Sequence, residues 1–233
     1  MPDHPRGENR AVRLARLGLT DYEPAYELQR TLNSELRGER GGPGWLLVTE
    51  HRPVITLGRN HPTADLKGTP EEVAAAGIPI IQSDRGGDIT YHGPGQLVAY
   101  PIVDLRDWGV GPVDLVCGLE ATAIRVASSF GISAERREEA RGVWVGERKL
   151  ASVGVRVSGG VSMHGIAINV SPNFAHFELI NACGMPNAEV TGLTREAGVM
   201  DMGQGLDLQR VTQEFIEAFA VEFHCEVLAF PVS

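Results

Sequence analysis

Four glycines, an arginine and a histidine are concentrated between Ser83 and Gln96, in the segment SDRGGDITYHGPGQ. Glycine permits positive φ angles and lets backbone N–H groups approach a ligand without a Cβ in the way, while Arg85 and His92 add polar side chains. The segment therefore predicts a binding loop. The alternative is a tight turn followed by a hairpin, in which the glycines serve geometry alone. A phosphate loop is excluded, because neither G-x-x-x-x-G-K-[ST] nor a helix-opening G-x-G-x-x-G is present.

The segment GERKLASVG, residues 146–154, carries a lysine at the start of an apolar, strand-like run. An ammonium is a strongly hydrated point charge, and its protonation responds to burial against an apolar sheet. Lys149 is therefore a candidate for acid–base or electrostatic work. An ordinary exposed lysine in a β-turn is the alternative interpretation.

Three cysteines are present, an odd number with no C-x-x-C spacing, which argues against a disulfide framework and a cysteine-rich zinc site. Cys117 and Cys225 fall in apolar periodic segments, where buried thiols are the norm. Cys183 instead lies among small and turn-forming residues in INACGMP, which favours exposure. It is a candidate nucleophile, with a casual surface cysteine as the alternative. The H-E-x-x-H pattern is also absent, so we expect no metal. We expect no cofactor either.

The bulk composition is that of an ordinary globular enzyme, with 42% hydrophobic and 22% charged residues in 233. We expect a single domain over residues 1–233 whose first ten residues are flexible. No apolar run approaches the ~20 residues that cross a bilayer, and the first residues lack the apolar stretch of a signal peptide. These features predict a cytoplasmic protein that does not bind membranes.

The net charge of −9 disfavours a nucleic-acid partner, because a generally acidic protein repels phosphate backbones. Residues 121–180 differ from the rest of the chain, with seven basic against five acidic side chains. This stretch either docks an acidic protein partner or forms a solvated, salt-paired face, and the sequence leaves both open.

Apolar residues at three- and four-residue spacing predict three helices, over residues 21–36, 113–130 and 207–223, with Asp207 as an N-cap of the last. Strand-like runs are about three times as numerous, and short turns such as Ser158-Gly159-Gly160 join some of them. The pattern predicts an α+β fold with a mixed, largely antiparallel sheet flanked by helices. The predicted strands cover residues 11–17, 45–49, 54–57, 78–82, 96–103, 142–145, 150–157, 162–170 and 225–230.

Four blocks of the sequence together resemble the lipoyl(octanoyl) transferase family. They are RGGDITYHGPGQ at residues 85–96, KLASVG at 149–154, HGIAINV at 164–170 and NACG at 181–184. The blocks occur in the family's order, and the similarity runs from about residue 12 to about residue 195. The first block is highly specific, whereas the lysine and cysteine blocks are weak when taken singly.

The resemblance implies the fold of the biotin–lipoate protein ligase superfamily. It also implies transfer of an octanoyl group from octanoyl-acyl carrier protein to a lysine of the acceptor protein. The acceptors would be the lipoyl domains of 2-oxoacid dehydrogenase E2 subunits and the glycine-cleavage H protein. We expect the chain to act as a monomer.

By the same resemblance, Cys183 matches the family's acyl-thioester cysteine and Lys149 matches the lysine that activates it. A free thiol with a pKa near ~8.5 is only a few per cent thiolate at neutral pH, so a nearby cation favours the reactive form. His92 and His164 are candidates to orient the lysine or the substrate. Oxyanion donors near Gly86-Gly87 or beside Cys183 stay open. The implied substrate-binding residues are Arg85, Gly86, Gly87, Asp88, Ile89, Thr90, Tyr91, His92, Ser152, Val153, Gly154, Gly165, Ile166 and Ala167.

The main rival interpretation is an ATP-dependent lipoate or biotin protein ligase of the same superfamily. Such ligases need an adenylate site, often with a basic Gly-rich segment, whereas this chain reads RGGDITYHGPG at the matching place and carries a cysteine on which ligases do not depend. A non-catalytic scaffold is disfavoured, because it could dispense with both Lys149 and Cys183 and both are present. A papain-like hydrolase is disfavoured as well, because no C-G-S-C-W signature surrounds Cys183. The sequence therefore favours the ATP-independent acyltransferase.

Overall fold

The computed structural model describes residues 10–59, 66–138, 140–181, 189–198 and 206–230. Two β-sheets organise these residues. The larger has the strand order β12-β1-β2-β6-β10-β9-β8-β7, with β11 also paired to β9, and the smaller has the order β4-β3-β5. The strands are β1 (Ala11–Thr20), β2 (Gly44–His51), β3 (Val54–Leu57), β4 (Ile80–Gln82), β5 (Ile89–His92), β6 (Gln96–Ile102), β7 (Glu135–Arg136), β8 (Val143–Val145), β9 (Arg148–Ser158), β10 (Val161–Asn169), β11 (Glu189–Val190) and β12 (Glu226–Ala229).

Local signals mark where the helices begin. The carboxylate of Asp207 accepts a hydrogen bond from the N–H of Arg210 at 2.7 Å and caps the last helix. Thr69 and Glu72 form a reciprocal capping box at the start of a short helix. The helices are α1 (Tyr22–Gly38), α2 (Pro70–Ala75), α3 (Leu105–Trp108), α4 (Pro112–Ser129), α5 (Leu193–Glu196) and α6 (Leu208–Phe223), and a 3₁₀ helix spans Phe174–Leu179.

Alternation along the central strands divides the core into two layers. In β2, Leu46 packs with the cluster that includes α4 and α6, whereas Leu47 packs with the cluster that includes Leu32 of α1. Because successive side chains of a strand point to opposite faces, α4 and α6 cover one face of the large sheet and α1 covers the other. A third cluster, around Ile55 and Tyr91, supports the small sheet.

The α+β fold with a mixed sheet between helices is confirmed. Six strand pairings are antiparallel and four are parallel among the described residues. The three predicted helices are present within two residues of their expected ends, and Ser158-Gly159-Gly160 does turn β9 into β10. The sequence did not predict β5, because its residues ITYH had been assigned to the glycine-rich loop.

Candidate active site

A cavity of about 280 Å³ lies between the α1 face of the large sheet and the small sheet. Its lining comes from α1, β5, β6, β9, β10 and the loops before β5 and β8. Apolar side chains from the large sheet and polar side chains from the small sheet therefore meet in one space. The lining residues are Tyr22, Arg85, Gly87, Asp88, Thr90, His92, Val98, Tyr100, Ala140, Arg141, Ser152, Val153, Gly154, His164, Gly165, Ile166 and Ala167.

The block from Arg85 to His92 contributes only part of its residues to this cavity. Thr90 and His92 line it, whereas Ile89 and Tyr91 pack into the third hydrophobic cluster. The division follows from the period of two in a β-strand, which sends neighbouring side chains to opposite faces. Ile89 and Tyr91 thus support the strand that presents Thr90 and His92.

Arg85 uses its guanidinium to shape the loop. It donates to the backbone oxygens of Thr56 at 2.7 Å, Asp88 at 2.8 Å and Gly86 at 3.2 Å. The loop also lies tightly on β9, because the N–H of Gly86 donates to the carbonyl of Val155 at 3.1 Å. A Cβ on Gly154 would lie 2.7 Å from the Gly86 oxygen, so this approach requires glycine. The Gly86 N–H is therefore already engaged and is not a spare oxyanion donor.

Two buried histidines, His51 and the cavity-lining His92, have assigned proton positions. The Nδ1 of His51 faces the carbonyl of Thr20 at 3.2 Å and must donate, so its Nε2 accepts from the Tyr100 hydroxyl at 2.7 Å. The Nδ1 of His92 donates to Oε1 of Gln96 at 3.1 Å. Burial lowers the pKa of His51 to about 4 and that of His92 well below its usual value. Both rings are neutral at physiological pH.

His164 combines a strained backbone with a fixed ring. Its φ of 58° lies in the left-handed region, which non-glycine residues adopt at a cost of about 1–3 kcal/mol. The conformation is held from two sides, because the backbone N–H donates to Oε1 of Gln29 at 2.8 Å and Nε2 lies 2.6 Å from Asp84. Asp84 also pairs with Arg156. Burial, together with the positive charges of Arg85 and Arg156, lowers the pKa of His164 to about 3.

Because the pKa values of these buried histidines are lowered, we expect the fold to lose stability in mild acid. In the unfolded chain, each histidine binds a proton as the pH falls through about 6.5. In the folded chain, His51 stays neutral until about pH 4 and His164 until about pH 3. The free energy of unfolding therefore falls as pH drops from about 6.5 to 4, by up to about 1.4 kcal/mol per pH unit for each histidine. Urea unfolding at several pH values measures this slope. We expect His51→Gln to reduce this slope by about the contribution of one histidine.

The matched control for this prediction is His224→Asn. His224 is exposed and has a left-handed φ of 49°, which asparagine tolerates. We expect this variant to keep the wild-type slope between pH 6.5 and 4. Equal slopes for wild type and His51→Gln would contradict the assignment of acid sensitivity to the buried cluster.

Lys149 is almost fully buried, with 2% of its surface exposed, which excludes the exposed β-turn lysine considered above. Gly142 makes room for it: a Cβ there would lie 2.7 Å from the Lys149 Cε and 2.4 Å from the Ala151 oxygen, and its φ is 120°. Gly142 directly follows Arg141, which lines the cavity. The lysine therefore packs against the residue that follows a cavity-lining arginine, and Lys149 is not itself among the lining residues. A sequence signal was available, since the chain has nineteen arginines but only two lysines, Lys67 and Lys149.

Cys183 lies outside the described residues, but both flanks of its segment are described. Upstream, Ile180 forms a bridge with Leu66. Downstream, β11 pairs in parallel with β9 so that Val190 is opposite Lys149, and the N–H of Thr191 donates to the Lys149 carbonyl at 2.9 Å. The chain that follows the Cys183 segment is thus hydrogen-bonded to the backbone of Lys149.

The other two cysteines are half-buried rather than fully buried as predicted. Burial raises the pKa of the Cys225 thiol to about 12, so this sulfur stays protonated at neutral pH. Cys117 lies in α4, with its sulfur 3.9 Å from Nη1 of Arg141. Of the two described thiols, Cys117 is therefore the one with a contact to a cavity-lining residue.

The basic stretch forms ion pairs with carboxylates of the chain itself. Arg136 and Arg141 approach the buried carboxylate of Glu120 at 3.5 and 3.8 Å. Arg137 pairs with Glu147, and Arg148 with Glu196 at 2.8 Å. These contacts favour the salt-paired face among the two interpretations of this stretch.

Among the proposed substrate-binding residues, those of β9 and β10 all line the cavity, as do Arg85, Gly87, Asp88, Thr90 and His92. Gly86, Ile89 and Tyr91 do not. The sequence analysis missed Tyr22, Val98, Tyr100, Ala140 and Arg141, which reach the cavity from distant elements. His164 also lines the cavity, consistent with a placement near the substrate, but its ring contacts Asp84. Within the described ranges, no helix is both long and apolar enough to cross a membrane.

Comparison with known proteins assigns the chain to a family. Residues 21–220 match the model of the lipoyl protein ligase A/B catalytic domain, and the chain belongs to that family. Its curated relatives include the octanoyltransferase of Syntrophobacter fumaroxidans, 46% identical over 185 residues that cover 79% of this chain and 81% of the relative. The octanoyltransferase of Chloroflexus aurantiacus is 42% identical over 221 residues, 91% of this chain and 96% of the relative. The chain is thus an acyltransferase.

Solved structures share the fold at low identity. A lipoate-protein ligase A bound with ATP superimposes with a TM-score of 0.72 at 13% identity, covering 97% of this chain and 90% of the ligase. The biotin protein ligase of Aquifex aeolicus in complex with biotin and ATP gives 0.53 at 14% identity, covering 91% and 70%. The predicted biotin–lipoate ligase fold is confirmed, and likeness at this identity shows the fold alone.

Proposed function

We propose that the chain transfers an octanoyl group from octanoyl-acyl carrier protein, through a thioester on Cys183, to a lysine of lipoyl domains and the glycine-cleavage H protein. The observation that carries the proposal is the burial of Lys149 beside Gly142, which follows the cavity-lining Arg141, on the strand that pairs with the chain following Cys183. The names of the relatives, which are octanoyltransferases at 42–46% identity, support the acyl group.

The cavity suits a medium-length acyl chain. Its volume of about 280 Å³ is just below the ~300–1,000 Å³ typical of ligand pockets. Val98, Tyr100 and Ala167, which lie on the α1 face of the large sheet, give it apolar walls. Burying the seven carbons beyond an octanoyl carbonyl contributes about 5 kcal/mol at ~0.8 kcal/mol per methylene. We infer that the alkyl chain occupies this cavity with its thioester directed toward Lys149.

The first half of the reaction forms the acyl-enzyme. The thiol of Cys183 gives its proton to Nζ of Lys149, and the thiolate attacks the carbonyl carbon of the octanoyl thioester. A carbon–sulfur bond to Cys183 forms, and the bond to the carrier's sulfur breaks. The departing sulfur takes the proton from the Lys149 ammonium. Lys149 returns to its neutral form, and the exchange of one thioester for another is close to isoenergetic.

The second half passes the acyl group to nitrogen. The acceptor's amine attacks the thioester carbonyl, an amide bond forms, and the bond to the Cys183 sulfur breaks. Lys149 accepts the proton that the amine loses and returns it to the cysteine sulfur. The enzyme thus regains its starting thiol. Splitting the transfer into two steps lets donor and acceptor proteins bind one after the other.

The decisive test is intact-mass spectrometry after mixing the 233-residue chain with octanoyl-acyl carrier protein in the absence of ATP. We expect a mass increase of one octanoyl group, which peptide mapping locates on Cys183, and its loss when an acceptor lipoyl domain is added. Octanoyl-acyl carrier protein with its thioester hydrolysed beforehand is the control and should leave the chain unmodified. An unmodified chain after incubation with the intact donor contradicts the proposal.

The alternative function is an ATP-dependent lipoate or biotin protein ligase, because ligases share the fold. The same assay separates the two functions, since a ligase would modify the acceptor only with free acid and ATP. Transfer that depends on ATP and leaves Cys183 unmodified would favour the ligase.

A further inference from the structure

Trp144 of β8 lies beneath two cationic side chains. Its indole is fully buried, and its Nε1–H donates to the carbonyl of Ala140 at 3.0 Å. The Nζ of Lys149 lies 5.3 Å from the ring centroid, and the Cζ of Arg137 lies 4.8 Å from it. Both distances are within the ~6 Å over which the negative face of an aromatic ring attracts a cation, and tryptophan is the strongest ring for this contact.

The β8–β9 hairpin fixes the position of the ring relative to the lysine. Trp144 is the cross-strand partner of Lys149, and a register shift between Val143 and Trp144 sets this pairing. Directly opposed residues of a strand pair are close neighbours on one face. The lysine stem also packs against Gly142, whose N–H donates to Oε1 of the buried Glu120 at 2.9 Å. The lysine side chain therefore lies next to both an anchored glycine and a fixed indole.

Arg137 and Lys149 can both lie over the Trp144 ring because the charge of Arg137 is balanced by a carboxylate. Its guanidinium pairs with both carboxylate oxygens of Glu147. The negative charge of Glu147 offsets the repulsion that Arg137 would otherwise exert on the Lys149 ammonium. Arg137 covers the indole, which helps to keep the ring buried.

We propose that Trp144 is a positioning residue for the acyl transfer, acting through Lys149. The inference rests on the proposed function, in which Nζ of Lys149 receives and returns a proton in each half-reaction. A lysine stem has four rotatable carbons and loses considerable rotamer freedom when held in place. The indole favours the conformation that places the ammonium over the ring, and it stabilises the charged state formed when the Cys183 thiol gives up its proton.

A first test asks whether the ring holds the lysine. The chain has two lysines, so ¹³Cε-lysine labelling gives two side-chain NMR signals, with exposed Lys67 as the internal reference. We expect an upfield ring-current displacement of the Lys149 signal that disappears in Trp144→Leu and is partly kept in Trp144→Phe. A Lys149 signal that is the same in wild type and Trp144→Leu would overturn the contact. This readout does not depend on activity.

A second test asks whether the contact serves the reaction. We expect Trp144→Leu to lower kcat for octanoyl transfer about tenfold with little change in KM, and Trp144→Phe to restore part of the loss. Trp108→Leu is the matched control, because Trp108 is also buried and lies 5.8 Å from an arginine, but it packs against α6. We expect the control to lose stability and keep kcat. An equal loss of kcat in both variants would overturn the proposal.

Fluorinated tryptophans keep the test valid if Trp144→Leu fails to fold. In a Trp45→Phe, Trp108→Phe background, Trp144 is the only tryptophan, and successive ring fluorines weaken the negative face while hardly changing its size. We expect kcat to fall stepwise with each fluorine. A kcat independent of fluorination would overturn the proposal and leave Trp144 with a packing role.

A double-mutant cycle separates this inference from the proposed function. If Trp144 acts through Lys149, adding Trp144→Phe to a Lys149→Met enzyme causes no further loss of kcat. Additive losses would overturn the inference and leave the proposed function intact. If Lys149→Met alone has wild-type activity, the proposed function itself fails, and the inference fails with it.

Discussion

Replacing Cys183 by alanine is expected to abolish both the octanoyl adduct and turnover, lowering kcat by roughly 10⁴-fold or more. The sulfur is the atom that holds the acyl group between donor and acceptor, so no side chain of similar nucleophilicity replaces it. Intact-mass spectrometry with octanoyl-acyl carrier protein measures the adduct, and octanoylation of a lipoyl domain measures turnover. Cys183→Ser is the conservative companion and is expected to be nearly as inactive, because a hydroxyl ionises far less readily than a thiol.

The two remaining cysteines provide matched controls for this experiment. The Cys225 thiol stays protonated because burial raises its pKa to about 12, so Cys225→Ala is expected to keep full activity. Cys117 is the more searching control, since its sulfur lies 3.9 Å from the cavity-lining Arg141. If Cys117→Ala loses the adduct and Cys183→Ala keeps it, the nucleophile is the helix cysteine and the proposed assignment is wrong.

The helices were predictable because one physical cause determines both their pattern and their position. In α6, Phe215, Phe219 and Phe223 follow at four-residue spacing and contact one another in sequence, with ring centroids 6.2 and 4.5 Å apart. The same spacing creates the apolar stripe in the sequence and the buried face in the fold. Asp207 then marks the start of the helix through a local hydrogen bond. No contact from a distant element is needed to recognise this helix.

Strand β5 was not predictable in the same way. All four residues of ITYH are buried, so the apolar–polar alternation that marks a half-exposed strand is missing. The polar His92 is tolerated in this buried position because its Nδ1–H donates a hydrogen bond to Gln96. In the sequence, the neighbouring glycines indicate a loop. Without the strand, the sequence could not separate Thr90 and His92, which line the cavity, from Ile89 and Tyr91, which do not.

The cavity wall shows a second limit. Tyr22 comes from α1 and Tyr100 from β6, and each reaches the cavity only because the layers of the fold bring α1 over the large sheet. Their placement depends on long-range packing, which local periodicity does not encode. The pairing of Trp144 with Lys149 likewise depends on a register shift in the β8–β9 hairpin. The sequence thus identified the lysine, while only the fold identified the ring that contacts it.

The buried lysine gives the second large expected effect. Lys149→Met keeps most of the apolar stem beside Gly142 and Trp144 and removes the amine that takes up the thiol's proton. We expect kcat for octanoyl transfer to fall about 10²–10⁴-fold, the usual contribution of a positioned acid–base group. We also expect the pH midpoint for alkylation of Cys183 by iodoacetamide to rise toward the ~8.5 of a free thiol, because the cation that favours the thiolate is gone. Alkylation rates between pH 5 and 10, with the site verified by peptide mapping, measure this midpoint.

Lys67→Met is the matched control, because Lys67 is the chain's other lysine and is exposed. It removes the other side-chain amine of the chain at an exposed position, so we expect wild-type kcat and an unchanged alkylation midpoint. A general electrostatic effect of losing one cation would shift both variants alike, whereas a local pair shifts only Lys149→Met. If the midpoint for Lys149→Met equals that of the wild type, the ammonium does not act on the Cys183 thiol. The low-pH reactivity of that sulfur, if present, would then need another source.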